Sequence, residues 1–240
     1  MFSLNAVRPM AKSLRVLAAL LGYPDAPMRR HLPEMRELLH AEHALPPSRL
    51  AELDALIEAL RSAGPLDAES DYVELFDRGR GTSLHLFEHV HGDSRERGPA
   101  MIDLGQTYEK AGLILAEGEL PDYLPAVLEF VSTQPVREAR AFLGEMAHIF
   151  NAIFGALQHR DSAYASVLGA LIELAGEKAQ PVKPAVEEPL DESWAEPVVF
   201  DGCSSKGQAR PGQPQPVHIV RQSRAASSAM AASSSQGASS

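Results

Sequence analysis

The excess of helix-favouring over strand-favouring residues constrains the fold of this chain most. Of its 240 residues, 64 are Leu or Ala, whereas Val, Ile and Thr together number 24. Leu and Ala favour helix, and β-branched residues favour strand. Apolar residues also recur at helical spacing, as in the stripe of Leu50, Leu53, Ile57 and Leu60. The sequence therefore predicts an all-α fold and disfavours sandwiches, barrels and parallel sheets.

Start and stop signals divide the chain into eight or nine predicted helices. The first covers residues 13–21 and ends at Gly22, and the longest runs from Pro135 to about Arg160. Another is expected between residues 28 and 42. The remaining predicted helices begin at Pro47 or Ser48, Asp67, Thr82 or Ser83 (the helix of residues 84–91), Pro99, Asp122 and Asp161. No internal repeat is present, which predicts a single compact domain.

A change of composition marks the end of that domain. In residues 201–240, 29 of 40 residues are Ser, Ala, Gln, Gly or Pro, and none is aromatic. Such a segment buries too little apolar surface to offset the entropy of ordering. We predict one helical domain over residues 1–178, followed by an acidic Pro-rich linker and a disordered tail over residues 179–240. Within that linker, the apolar residues 194–200 around Trp194 are a candidate for docking on the domain.

Charge and cysteine content exclude several classes of function. The net charge of −10 argues against binding to nucleic acid or anionic membranes through overall charge. A lone cysteine, Cys203, excludes an internal disulfide and a CxxC zinc site, and suits a reducing compartment. The apolar run of residues 16–21 is too short for a signal peptide, and no run approaches the ~20 residues of a membrane span. We expect a cytoplasmic protein that does not insert into the membrane.

Residues 76–98 combine four Arg and three His with several acidic residues around a short apolar helix. One interpretation is that these charges only pair to hold two helix ends together. Another is a zinc hydrolase, because His85, Glu88 and His89 form an H-x-x-E-H pattern. That site would need a further ligand, and the candidates are Glu109, Glu117, Glu119 and Glu145. Nucleophile, P-loop and dinucleotide motifs are missing from the sequence, so no other catalytic site is better supported than this pattern.

The same residues carry a resemblance to a known family. Residues 76–80 (FDRGR) and 86–92 (LFEHVHG) resemble the signature of the nitrate reductase molybdenum cofactor assembly chaperones. Residues 17–25, 65–68 and 120–125 are similar to the family as well, and so are the later Trp194, Val199, Phe200, Gly202 and Cys203. At position 123 this chain has Tyr where the family usually has His. The first eleven or so residues resemble an extension relative to the family, which makes Met10 an alternative translation start.

The resemblance implies a TorD-like helical fold without catalytic activity, bound metal or cofactor. It implies a cytoplasmic chaperone that binds the N-terminal segment of the apo α subunit of respiratory nitrate reductase during molybdenum cofactor insertion, before membrane attachment. Molybdenum cofactor delivery proteins are further candidate partners, and an alternative client is the twin-arginine leader of another molybdoenzyme. The residues expected to bind the partner peptide are Tyr72, Phe76, Asp77, Arg78, Arg80, Leu86, Phe87, Glu88, His89, His91, Asp122 and Tyr123. Of these, Tyr72, Phe76, Leu86 and Phe87 are the expected apolar anchors.

Overall fold

The structure is a computed structural model that describes residues 9–92, 94–116 and 118–179. These residues form eleven α-helices, one 3₁₀ helix and no strand, which confirms the predicted all-α fold. The helices are α1 (Ala11–Leu21), α2 (Ala26–Arg30), α3 (Leu32–Glu42), α4 (Pro47–Ser62), α5 (Pro65–Phe76), α6 (Leu86–Val90), α7 (Arg97–Lys110), α8 (Leu124–Ser132), α9 (Val136–Glu145), α10 (Ala147–His159) and α11 (Ala165–Ala175), and the 3₁₀ helix is Arg80–Thr82. The predictions for Glu117, the linker, the tail, Trp194 and Cys203 lie outside the described residues.

The most apolar helices form the centre of the domain. Helix α1 packs along α8, and α10 packs along α11. Every residue of α11 is buried except Glu173, so this helix is enclosed on nearly all sides. In α1, four leucines are fully buried: Leu14, Leu17, Leu20 and Leu21. Burial of a leucine side chain contributes ~2 kcal/mol. The burial of α1 and α11 therefore provides much of the free energy that stabilises the fold. No helix in the described ranges is long and apolar enough to cross a membrane.

Two predicted helices are each divided in the structure. The helix expected over residues 28–42 is interrupted at His31, because Pro33 has no N–H to continue the hydrogen-bond ladder of α2 into α3. The prediction of one long helix from Pro135 to Arg160 is also wrong. Helix α9 ends at Glu145, and α10 starts anew with the carbonyl of Met146, which accepts bonds from Ile149 N and Phe150 N at 2.9 and 3.1 Å. No proline marks this second break.

Two of the predicted helix caps are wrong because the neighbouring backbone starts the helix elsewhere. Helix α5 begins at Pro65, whose fixed φ suits a first helical position, so Asp67 lies inside the first turn. Asp161 adopts a left-handed conformation with φ +50° and lies in a turn, four residues before the first residue of α11. By contrast, the predicted end of α1 at Gly22 and the start of α4 at Pro47 are confirmed.

Candidate functional site

The loop between α5 and α6 carries the arginine-rich part of the signature. Asp77, Arg78 and Arg80 are exposed in this loop, whereas Gly79 and Thr82 are buried. The Thr82 hydroxyl donates to the carbonyl of Leu75, the penultimate residue of α5, and so closes the loop. A Cβ on Gly79 would lie 2.8 Å from that hydroxyl and 2.8 Å from Nη2 of Arg160. The loop therefore needs glycine at this position for close packing.

Helix α6 is only five residues long and is capped by a side chain from far along the chain. The Asp122 carboxylate accepts a hydrogen bond from Phe87 N at 3.1 Å, and the Asp122 carbonyl accepts one from Leu86 N at 3.0 Å. A third bond, from Leu124 N to the Leu84 carbonyl at 2.8 Å, completes a short antiparallel bridge. A single helical turn is unstable alone, so these bonds hold α6 in place.

This arrangement corrects two predictions about helix caps. Neither Thr82 nor Ser83 caps the helix predicted over residues 84–91, which in the structure begins at Leu86. Asp122 does not cap the helix that follows it, since α8 begins after Tyr123. The carboxylate instead turns toward the neighbouring segment, because the bridge places the free N–H groups of α6 beside it.

The Asp122 carboxylate is completely buried and has two basic neighbours. His85 Nδ1 lies 3.3 Å from Oδ1, and Arg97 Nη2 lies 3.9 Å from Oδ2. The hydrogen bond that His85 donates to Asp122 raises the pKa of His85 above its ordinary value, and this exceeds the opposing effect of burial. Glu88 raises the pKa of His85 as well, whereas Arg97 lowers it. The buried charge is thus balanced by polar partners, as buried carboxylates require.

The H-x-x-E-H pattern does not lie on one helix. His85 precedes α6 and faces Asp122, and His89 Nε2 lies 2.9 Å from the carbonyl oxygen of Ser83. Among the residues of the three described ranges, no group of three or more His, Cys, Asp or Glu is arranged to hold a metal ion. The geometry assigns both imidazoles to hydrogen bonds within the protein, one with Asp122 and one with the backbone of Ser83.

Three of the four expected apolar anchors are core residues. Tyr72, Phe76 and Leu86 are all buried. The Tyr72 ring contacts those of Tyr23 and Phe76, with centroids 5.6 and 4.8 Å apart. Burial raises the pKa of the Tyr72 hydroxyl far above its ordinary value, so the group stays protonated. Only Phe87 is partly exposed, with its ring edge-on to His91 at 5.3 Å.

A groove of about 290 Å³ lies beside this cluster, between the end of α1 and helix α5. Its apolar lining includes Tyr23, which is 46 % exposed, and Leu66, which is 79 % exposed. We call it the α5 groove, and its lining residues are Tyr23, Leu66, Glu69, Ser70, Val73, Glu74 and Arg78. Only Arg78 of these was predicted from sequence. The signal for the others was weak: Leu66, Ser70 and Val73 share one face of a helix, but periodicity does not tell which face stays uncovered.

The other predicted residues lie in two places. Asp77 and Arg80 are exposed in the loop next to Arg78, which lines the groove. Residues 85–91 and Asp122–Tyr123 are brought together by the bridge described above. On the surface of that second group, Glu88 lies 3.6 Å from Arg97. The Tyr123 hydroxyl lies 3.2 Å from that of Tyr72 and connects the second group with the aromatic cluster.

Comparisons with known proteins agree on one family. The family profile described as nitrate reductase delta subunit matches residues 26–169. The nitrate reductase molybdenum cofactor assembly chaperone NarJ of Escherichia coli strain K12 is 46 % identical over 162 residues, or 68 % of this chain and 69 % of that protein. The corresponding chaperone NarW of the same strain is 39 % identical over 163 residues, or 68 % of each chain.

A more distant relative and a solved structure extend these comparisons. NarJ of Bacillus subtilis strain 168 is 32 % identical over 157 residues, or 65 % of this chain and 84 % of that one. The fold resembles the crystal structure of a protein from Archaeoglobus fulgidus assigned to redox enzyme maturation. That match has a TM-score of 0.52 at 19 % identity and covers 70 % of this chain and 94 % of the other. At this identity the likeness concerns the fold alone.

Proposed function

The chain belongs to the nitrate reductase delta subunit family, and on this premise we propose that it is an assembly chaperone of nitrate reductase. It binds the N-terminal segment of the apo α subunit in the cytoplasm and keeps that subunit competent for molybdenum cofactor insertion until the complex attaches to the membrane. NarJ and NarW are named as assembly chaperones, not as enzymes, which supports a binding role rather than a catalytic one. Cofactor delivery proteins are expected to act on the chaperone-bound α subunit.

The α5 groove is the observation that carries this proposal. Its volume of about 290 Å³ is at the lower limit of small-molecule sites, ~300–1,000 Å³. It suits one or two apolar side chains of a peptide better than a bulky cofactor. Tyr23, Leu66 and Val73 offer apolar surface, and Glu69 and Glu74 add negative charge. An amphipathic helix with an apolar face and basic neighbours matches such a groove.

The predicted binding residues divide into two proposed roles. The exposed or half-exposed residues are proposed to contact the peptide: Asp77, Arg78, Arg80, Phe87, Glu88 and His91. The others support the surface from below through the bonds and ring contacts described above: Tyr72, Phe76, Leu86, His89, Asp122 and Tyr123. The half-exposed His89 and Tyr123 are grouped with the buried residues because their side chains hydrogen-bond to Ser83 and Tyr72.

Calorimetric titration of the full chain with a synthetic peptide copying the N-terminal segment of the α subunit tests the proposal. We expect Leu66→Asp to weaken binding at least tenfold, because it places a charge in the apolar lining. The matched control is Ile102→Asp on α7, which changes another exposed apolar residue, 62 % exposed and outside the groove, and is expected to stay within twofold of wild type.

Salt dependence tests the acidic part of the groove separately. Raising the ionic strength to about 0.5 M should weaken binding severalfold without abolishing it, because salt screens charge but not apolar burial. Glu69→Lys and Glu74→Lys should slow association more than they speed dissociation. Absence of heat with the α-subunit peptide, together with binding of an unrelated twin-arginine leader, would contradict the proposed client.

A further inference from the structure

Two tyrosine hydroxyls connect the α5 groove with the loop before α8. The Tyr72 hydroxyl donates to the carbonyl of Leu21, the last residue of α1, at 2.7 Å and in a buried setting. The Tyr123 hydroxyl lies 3.2 Å from that of Tyr72. A phenol has a single proton. Because Tyr72 gives its proton to Leu21, Tyr123 must be the donor between the two hydroxyls.

These bonds act on the turn that forms one wall of the groove. The last carbonyls of a helix have no partner within the helix, and Tyr72 satisfies that of Leu21. The chain then passes through Gly22 to Tyr23, whose ring stands edge-on to the Tyr72 ring at 82°. Tyr72 therefore contacts this turn at two points. Its hydroxyl bonds the carbonyl of Leu21, two residues before Tyr23, and its ring packs against the ring of Tyr23.

We propose that Tyr72 and Tyr123 are positioning residues of the α5 groove, which hold the Tyr23 wall in the geometry that accepts the peptide. The inference rests on the proposed function, since it concerns the same groove. Tyr72 is buried and does not line the groove, and Tyr123 does not line it either. Both act through Leu21 and Tyr23. Tyr123 also connects Tyr72 with the loop before α6. Its backbone forms the bridge with His85, and the rings of Tyr123 and His85 lie 5.4 Å apart.

Tyr164 provides a matched control within the same cluster. Its ring lies 6.2 Å from that of Tyr72 and 5.1 Å from that of Phe76. Its hydroxyl is buried, but within the described part of the chain it has no hydrogen-bond partner. Tyr164→Phe therefore removes a buried hydroxyl from the same aromatic cluster without removing a bond.

The first test is ¹⁹F NMR of the full chain labelled with 3-fluorotyrosine. The chain has five tyrosines, so Tyr23→Phe assigns the Tyr23 signal by its loss. We expect Tyr72→Phe and Tyr123→Phe each to shift or broaden that signal, and Tyr164→Phe to leave it in place. A Tyr23 signal that is unchanged in both of the first two variants would overturn the inference, whatever the peptide does.

The second test measures peptide binding by the same variants well below their unfolding temperatures. We expect Tyr72→Phe and Tyr123→Phe to raise the Kd about three- to tenfold, in proportion to the loss of one hydrogen bond. Tyr164→Phe should change it less than twofold. Ile153→Val, a core variant, is expected to lower stability without changing the Kd and so separates positioning from general loss of stability.

The two possible failures are distinct. No heat from the wild-type chain with the peptide would contradict the proposed function. Heat from the wild type that is unchanged in Tyr72→Phe and Tyr123→Phe would overturn the inference about these residues and leave the proposed function in place.

Discussion

Replacement of Asp122 probes the interaction on which α6 depends most. In Asp122→Ala the part-buried N–H of Phe87 loses its acceptor, and leaving a donor unsatisfied costs up to ~1–3 kcal/mol when it is buried. Loss of a side-chain cap alone costs ~0.5–2 kcal/mol. Since the two figures describe the same bond, we expect the free energy of unfolding to fall by ~2 kcal/mol. For a domain of this size that lowers the Tm by ~4–8 °C.

Asp122→Asn separates the charge of the side chain from its role as a cap. The amide oxygen can still accept from Phe87 N, so the cap persists while the charge facing His85 and Arg97 is removed. Because the fold raises the pKa of His85, its bond with Asp122 contributes fully below the unfolded-state pKa of ~6.5 and is lost as pH rises through the folded pKa. The advantage of wild type over Asp122→Asn should therefore be larger at pH 5.5 than at pH 8.5.

Urea unfolding followed by circular dichroism, with hydrogen exchange at residues 87–90, measures both effects. Asp103→Ala, which removes an exposed carboxylate from α7, serves as the control and should behave as wild type. The reasoning fails if Asp122→Ala unfolds within ~0.5 kcal/mol of wild type and its Phe87 amide stays protected from exchange.

Three further predictions concern other parts of the chain. Gly79→Ala should lower the free energy of unfolding by ~1–2 kcal/mol in thermal melts, because the new methyl group meets the bonded Thr82 hydroxyl; an unchanged Tm would contradict this. Deletion of residues 201–240 should shift the Tm by less than ~2 °C, because their composition supports little burial, and a larger loss would show that the tail docks. Purified protein should contain well under one equivalent of zinc by elemental analysis, and a stoichiometric metal lost in His85→Ala would refute the assignment of that imidazole to Asp122.

The elements that local sequence predicts well are those governed by backbone chemistry. The excess of Leu and Ala predicts helices because helix propensity acts within a few residues. Pro47 marks the start of α4, and Gly22 marks the end of α1, where the structure has them. The break at Met146 has only the weak signal of Gly144, because an isolated glycine is tolerated inside a helix. The continuous helical pattern across it predicted one helix where two exist.

The signature residues were recognisable in the sequence, but their tasks were not. The local sequence predicts that Asp122 caps the helix that follows it. In the fold its side chain instead caps α6, by accepting a hydrogen bond from the N–H of Phe87, 35 residues earlier. Tyr72 and Phe76 read equally well as groove anchors or as core. Helical spacing describes which residues share a face, and the burial of that face depends on what packs against it.

The sequence alone thus determined the helical class and the segment that carries the family signature, because both depend on residue types and their order along the chain. The tertiary structure alone decided that Asp122 is a buried cap, that the Tyr72 hydroxyl bonds the last carbonyl of α1 and lies next to that of Tyr123, and that Leu66 lies uncovered beside Tyr23. Each of these depends on which distant segments meet. A hydrogen bond or an open groove between such segments is set by the packing of the whole domain. Local propensity cannot predict it, because propensity depends only on residues a few positions apart.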